Sequence, residues 1–190
     1  MRSRIPAAAL IAASRLLVAA GPGGTEEVGP RINVLRIEPR GSDVSIRFHL
    51  EGALNPELAR KIEAGLETAI RYDIRLYRQY RWWFDRFLDA RVYRVSVTFD
   101  PVTHEYVISE TMDGKPLGRS TTRDFSEVAQ RLVSGENLLV FHVVPDRPRR
   151  NLYVSMRATF DSGYLFAFIP VDARTSWKKS RRFELTGGGP

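Results

Sequence analysis

Asp85 is the carboxylate in this chain with the most suggestive neighbours. It ends the run Tyr80-Arg81-Trp82-Trp83-Phe84-Asp85 and is followed by Arg86. A carboxylate among aromatic rings and guanidinium groups is where a shifted pKa, and hence acid–base chemistry, can arise. Structural ion pairs perturb carboxylates in the same way, so pairing of Asp85 with a nearby arginine is favoured over catalysis. Asp85 with Asp89, and Glu105 with Glu110, are the carboxylate pairs at spacings that could cooperate. If segment 72–88 is one strand, Asp85 and Asp89 share a face. No serine stands in a Gly-x-Ser-x-Gly elbow, and no glycine-rich phosphate loop occurs between a strand and a helix. His49, His104 and His142 are far apart and form no ligand pair. A metal site needs three or four converging groups, so the histidines are read as structural or surface residues. Neither metal nor cofactor is expected.

Segment 75–94 offers a different chemistry. It interleaves arginines with Tyr77, Tyr80, Trp82 and Trp83, a pattern that can stack bases and neutralise phosphates or hold anionic sugars and lipid headgroups. The competing reading is a tryptophan pair in the core with arginines lying over ring faces. Strand alternation favours that reading, because it sends one of two adjacent tryptophans inward. Arg81, Trp82, Trp83, Asp85 and Arg86 are the candidate binding residues. A second basic group, Arg147, Arg149 and Arg150 with Lys178, Lys179, Arg181 and Arg182, reads as a solvated surface with docking as the alternative.

The composition limits what these groups can do. The 190 residues carry a formal net charge of +7, are 43% hydrophobic and 27% charged, and contain no cysteine. Disulfides, thiolate ligands, thiol nucleophiles and a cysteine-linked lipid anchor are therefore excluded. The aromatic content argues for a packed core rather than disorder. The basic balance favours anionic partners such as phospholipid, glycan or nucleic acid without choosing among them.

The first residues read as a secretory signal. Met1 to Arg4 is basic, Ile5 to Ala20 is mostly apolar, and Val18-Ala19-Ala20 supplies small side chains before Gly21-Pro22-Gly23-Gly24. The stretch is short for a transmembrane span, and Arg15 interrupts it. Loss of Arg2, Arg4 and Arg15 with the leader lowers the charge from +7 to +4. The expected organisation is a signal peptide or N-terminal anchor at 1–20, a Gly/Pro linker at 21–30, one β-rich domain at 31–185 and a tail at 186–190.

Within the domain, Val44, Ile46, Phe48 and Leu50 alternate with polar residues, as a half-buried strand does. Asn55-Pro56-Glu57 is a helix start, and Leu58, Ile62, Leu66 and Ile70 predict about four helical turns. Tyr72 to Leu88 follows as a long, bent strand, with a helical turn near Trp83–Leu88 as the alternative. Strands are also predicted over Ile32–Glu38, Arg91–Asp100, Glu105–Met112 and Lys115–Thr121, the last two joined at Asp113-Gly114. Asp124 and Glu127 resemble a capping box, Phe125 to Val133 holds the helical period, and Gly135 suits the C-terminal cap. Asn137–Val144 is almost continuously apolar and predicts a central strand covered on both faces. Pro145–Arg150 reads as a basic loop and Leu152–Asp161 as a strand. Ser162-Gly163 is a turn, Tyr164–Ile169 is apolar and aromatic, and Trp177–Leu185 reads as a last strand. The sum is an α+β, mainly β domain: an antiparallel β-sandwich or strongly curved sheet with two inserted amphipathic helices.

The run Tyr80 to Asp85, then Tyr93 to Asp100, Thr103-His104-Glu105-Tyr106-Val107-Ile108 and the Asp124–Leu132 helix, resembles the bacterial envelope family catalogued as domain of unknown function 4390. The likeness extends over Ile32 to Leu185 and includes Trp177 and Ser180. It implies an N-terminal signal or anchor, hence export, although Arg15 departs from that pattern. It brings no known activity or catalytic residues. The expectation is an exported, non-catalytic binding or interaction module of the cell envelope. Its partner would be an envelope protein or an anionic ligand, and it would touch membrane only through the N-terminal segment if that stays uncleaved. The alternatives are an enzyme of unknown reaction centred on Asp85, and a cytosolic nucleic-acid binder using segment 75–94.

Overall fold

The computed structural model of the chain describes residues 29–143, 149–161 and 174–185. The leader, most of the linker, the predicted turn at Ser162-Gly163, the apolar stretch Tyr164–Ile169, most of the Pro145–Arg150 loop and the tail lie outside them.

Turn chemistry sets the first sheet. β1 (Arg31–Arg40) and β2 (Asp43–Glu51) are joined by Gly41 and Ser42, with Gly41 at φ +59°, where glycine carries no Cβ penalty. β7 (Ser134–His142) pairs with the far side of β2, giving the order β1-β2-β7. The second sheet contains β3 (Thr68–Arg78), β4 (Arg86–Asp100), β5 (Glu105–Met112), β6 (Lys115–Thr122), β8 (Arg149–Asp161), β9 (Lys178–Lys179) and β10 (Phe183–Leu185). Its order is β10-β8-β3-β4-β5-β6, with β9 also on β8, and it curls strongly. Among the described residues all strand pairings are antiparallel. The expected mainly β, strongly curved architecture is what the chain adopts. Asp113 and Gly114, at φ +52° and +76°, make the two-residue β5–β6 turn that their identities predict.

Both sheets face one core. Val44, Ile46, Phe48 and Leu50 on β2 are buried with Tyr72 and Ile74 on β3 and Tyr93 and Val95 on β4. The ring of Phe48 lies 4.6 Å from that of Tyr72, and Tyr72 and Tyr93 stack at 5.9 Å. The Tyr72 hydroxyl donates to the Leu132 carbonyl at 2.6 Å. That bond ties the sheet to α2 (Phe125–Val133) and satisfies a hydroxyl that would be costly to bury alone.

Five expectations are corrected. The first helix, α1 (Pro56–Glu63), is half its predicted length. Asn55 caps it by accepting from the Leu58 N–H at 2.8 Å. Gly65, at φ +77°, then ends it: Leu66 N–H bonds to the Lys61 carbonyl and Gly65 N–H to that of Ile62, the pattern of a Schellman stop. Leu66 is exposed and Ile70 is buried in β3, so the continuing four-residue spacing was coincidence.

At the start of α2, Asp124 accepts from Ser126 N–H as a cap should. The Asp124 N–H, however, donates to the Thr122 hydroxyl, leaving Glu127 no reciprocal role. Gly135 does not cap that helix. The C-cap is Ser134 in extended conformation, and Gly135 already belongs to β7, where a Cβ would fall 2.3 Å from Phe48 Cε1. The position needs the absence of a side chain, not a positive φ.

β7 is an edge strand rather than a central one. Only its end, Val140 and Phe141, is buried, and Leu139 faces out. β3 and β8 take the covered positions, with residues of both faces buried. Finally, Trp177–Leu185 is not one strand but two short ones parted by Ser180–Arg182.

Candidate functional site

The predicted long strand across Tyr72–Leu88 is instead a hairpin. β3 ends at Arg78, β4 begins at Arg86, and residues 79–85 form the loop between them. Tyr80, Trp82 and Phe84 continue the alternation by residue type, but among the described residues no partner strand receives them. Trp82, Trp83 and Phe84 are 86%, 81% and 90% exposed. The expected core tryptophan pair is therefore absent: both indoles lie outside. Burying a large apolar side chain stabilises by about 1.5–3 kcal/mol, and the fold leaves that gain untaken at three successive positions.

The two ends of the loop are fixed. Gln79 N–H donates to the Asn151 carbonyl at 2.8 Å. Asn151 has φ +60°, a conformation asparagine tolerates better than most residues. At the other end the Tyr153 hydroxyl donates to Asp85 Oδ2 at 2.7 Å, bridging β8 to the loop. Asp85 is thus held by a tyrosine, where an arginine was expected. It shares no strand with Asp89, which accepts from the Arg91 guanidinium on β4 at 2.9 Å. Burial first, then the Asp85 bond and charge, push the Tyr153 hydroxyl well above its ordinary range. Tyr153 stays a donor at neutral pH, and Asp85 is occupied in fixing the loop.

Beneath the tip lies an aromatic base. Tyr77 stacks on Tyr153 at 5.3 Å and meets Phe87 edge-on at 5.8 Å. Cations surround it. Arg78 lies over the ring of Tyr80 and Arg81 over that of Trp82, and the Lys179 ammonium is 5.0 Å from the Tyr153 ring. Arg78 and Arg86 are cross-strand partners, the last pair of the hairpin. Like charges directly opposed destabilise, and among the described residues neither meets a carboxylate. A cleft of about 550 Å³ beside them is lined by Gln79, Tyr153, Lys179, Ser180, Arg181 and Arg182.

The structure thus brings Arg81, Trp82, Trp83, Asp85 and Arg86 together in and beside one loop, with Lys179 at its flank. Of the other candidate basic residues, Arg147 lies outside those described, Arg181 and Arg182 line the cleft, and the rest lie along β8 and β9. Arg149 pairs through its backbone with Leu185, and Arg150 is 3.7 Å from Glu184. Lys178 and Lys179 are exposed opposite Met156 and Ser155. Sequence reasoning missed Tyr153 and Asn151, which anchor the loop from 68 or more positions away. Only the strand pairing of β3 with β8 brings them into place, and no local signal marks them.

The three histidines lie apart from the tip and from one another. His142 Nδ1 lies 2.6 Å from Asp43, His49 is exposed on β2, and His104 sits edge-on to Phe99 in a turn. Among the described residues no three histidine or carboxylate groups converge on a metal position. A recess of about 390 Å³ between α2 and the curled sheet contains Glu110, but that carboxylate already receives Tyr93 and Arg131.

No curated protein and no solved structure matches the chain. A family model does match, over residues 29–182, and the chain belongs to that family, described as a domain of unknown function (DUF4390).

Proposed function

We propose that the protein is a non-catalytic binding module of the bacterial cell envelope, exported by its N-terminal leader, with the β3–β4 tip as its contact surface. The observation that carries this reading is the exposure of Trp82, Trp83 and Phe84 on a loop whose ends are pinned by Asn151 and Tyr153. A soluble surface seldom leaves contiguous large apolar side chains in water unless something covers them. The arginines beside them give that surface a preference for anionic groups. The order of basic head, apolar run and small residues at the N-terminus supports export.

Fractionation with N-terminal sequencing tests the compartment. A mature start near Gly21 in the envelope or periplasmic fraction is expected, and intact Met1 recovered from cytosol would overturn export. Replacement of Arg81 and Trp83 by alanine tests the surface. Retention in washed envelopes should fall while the thermal midpoint holds, and unchanged retention would remove the tip from the function.

A further inference from the structure

The chemistry at the tip is layered. Three apolar side chains, two of them indoles, stand foremost. Behind them come Arg78, Arg81, Arg86, Lys179, Arg181 and Arg182, on the loop, its strand ends and the adjoining cleft. The nearby carboxylates are engaged, Asp85 by Tyr153 and Glu184 by Arg150. An anionic bilayer presents the complementary layers in the same order. Its boundary between acyl chains and headgroups favours tryptophan, and its phosphates attract cations lying just outside. We infer that the β3–β4 tip docks on an anionic phospholipid surface, Trp82, Trp83 and Phe84 entering the headgroup boundary while the cations behind them meet lipid phosphates. This rests on the reading of the tip as a contact surface and names its occupant.

The backbone sets the depth. Residues 79–85 lie outside the ladders of β3 and β4; apart from the Gln79 N–H, which Asn151 takes, their backbone groups need water or headgroups and cannot enter the hydrocarbon. Insertion therefore stops at the boundary, as for an interfacial anchor. The cleft lined by Tyr153, Lys179, Arg181 and Arg182 is placed to take a headgroup phosphate. The facing Arg78 and Arg86 would lose their mutual repulsion to the same anions. Single-stranded nucleic acid fits less well, because stacking platforms lie along a groove that tracks the backbone, and here the rings cluster on one loop. An apolar pocket on a protein would accept the three side chains but leaves the surrounding cations without a role.

The test mixes the full chain with vesicles of phosphatidylcholine alone or with phosphatidylglycerol, some brominated along their acyl chains. Of the three tryptophans, Trp177 is half-buried between the guanidiniums of Arg75 and Arg157, whereas Trp82 and Trp83 stand exposed, so the lipid quenching lost on replacing those two reports on the tip. Quenching is expected with bromines near the headgroup end, on anionic vesicles, and weakening as salt rises. Trp82→Phe with Trp83→Phe should abolish the quenching. Trp82→Ser, Trp83→Ser and Phe84→Ser together should weaken anionic-vesicle binding by about tenfold or more, with an unchanged thermal midpoint. The leader is common to every variant, so the difference isolates the tip. Quenching that survives Trp82→Phe/Trp83→Phe, equal binding to neutral vesicles, or no quenching at all would each overturn the lipid assignment. If retention in washed envelopes still depends on the tip while vesicles are ignored, the occupant is a protein and the contact-surface reading stands. If retention ignores the tip as well, both readings fall.

Discussion

The β3–β4 hairpin carries two facing arginine pairs. Arg71 opposes Arg94 near the closed part of the sheet, and Arg78 opposes Arg86 at the tip. The inner pair is neutralised: Arg71 reaches Asp73 at 2.9 Å and Arg94 reaches Glu67 at 3.5 Å. Asp73 also takes Arg157 at 2.9 Å. Arg157 and Arg75 lie 4.6 and 4.5 Å from the centre of the Trp177 ring. Arginine and tryptophan therefore meet in both regions with opposite outcomes. Around Asp73 one carboxylate takes both Arg71 and Arg157, and the indole is a packing element between Arg157 and Arg75. At the tip Arg78, Arg81 and Arg86 form no ion pair among the described residues, Asp85 being turned to Tyr153, and the indoles face outward. Residue type does not separate a structural cluster from a contact surface. The presence of countercharge does.

The largest consequence should appear at Asp73. Asp73→Ala removes the carboxylate that serves two guanidiniums, and it should cost about 2 kcal/mol. That lies below the roughly 3–5 kcal/mol of a fully buried pair because Arg71 is half exposed. The urea midpoint measures it, and a change within experimental error would show the cluster to be ornamental. Acid titration sharpens the point. Burial alone would raise the Asp73 carboxyl, but the bonds and charges of Arg157 and Arg71 outweigh it and hold it below the usual range. The ionised form is therefore favoured by folding. Its contribution is fully present above the unfolded value of about 3.9 and is lost as pH falls through the lower folded value. The gap between wild type and Asp73→Ala should be flat through neutral pH and close only in acid.

Trp177→Leu keeps an apolar side chain but loses both guanidinium contacts, at an expected cost of about 1 kcal/mol by denaturant titration. Tyr153→Phe is similar or smaller, up to about 1 kcal/mol, since it removes one hydrogen bond to the half-buried Asp85. It should also loosen the loop, read as faster hydrogen exchange at Gln79 N–H, whose acceptor Asn151 lies two residues before Tyr153 on β8.

Much of the fold was legible because its signals are local. The alternation in β2, the Asn55 cap, the Asp113-Gly114 turn and the period of α2 each depend on residues within one element. What failed depends on distant partners. Leu66 and Ile70 kept the helical spacing, while Gly65 had already reversed the backbone. Asn137–Val144 is apolar enough for a central strand, yet β7, which takes in Asn137 to His142, occupies an edge among the described strands because β1 takes the other side of β2. Gly135 looked like a helix stop and is instead the space that Phe48 fills. At the tip, Arg81, Trp82, Trp83, Asp85 and Arg86 were visible as a group from their types. Which way the indoles point was not, because Tyr80, Trp82 and Phe84 mimic alternation beyond the last paired residue, Arg78.

The smallest expected effect is the most decisive for the comparison. Trp82→Ser, Trp83→Ser and Phe84→Ser together replace three of the largest apolar side chains in the molecule, a change that would unfold many cores. Here those side chains are nearly as exposed to water in the folded chain as in the unfolded one. Their removal should therefore alter stability by no more than about 0.5 kcal/mol. The denaturant slope should also stay constant, because it follows the surface newly exposed on unfolding. Trp82 is the one with a modest intramolecular contact, its ring 5.5 Å from the Arg81 guanidinium. At an exposed site such a contact is worth about 0.5–1 kcal/mol at most, which sets the upper bound on any loss. A drop beyond about 1 kcal/mol would mean that the tip packs against part of the chain itself. The contrast with Asp73 and Trp177 would then vanish, because both regions would be structural.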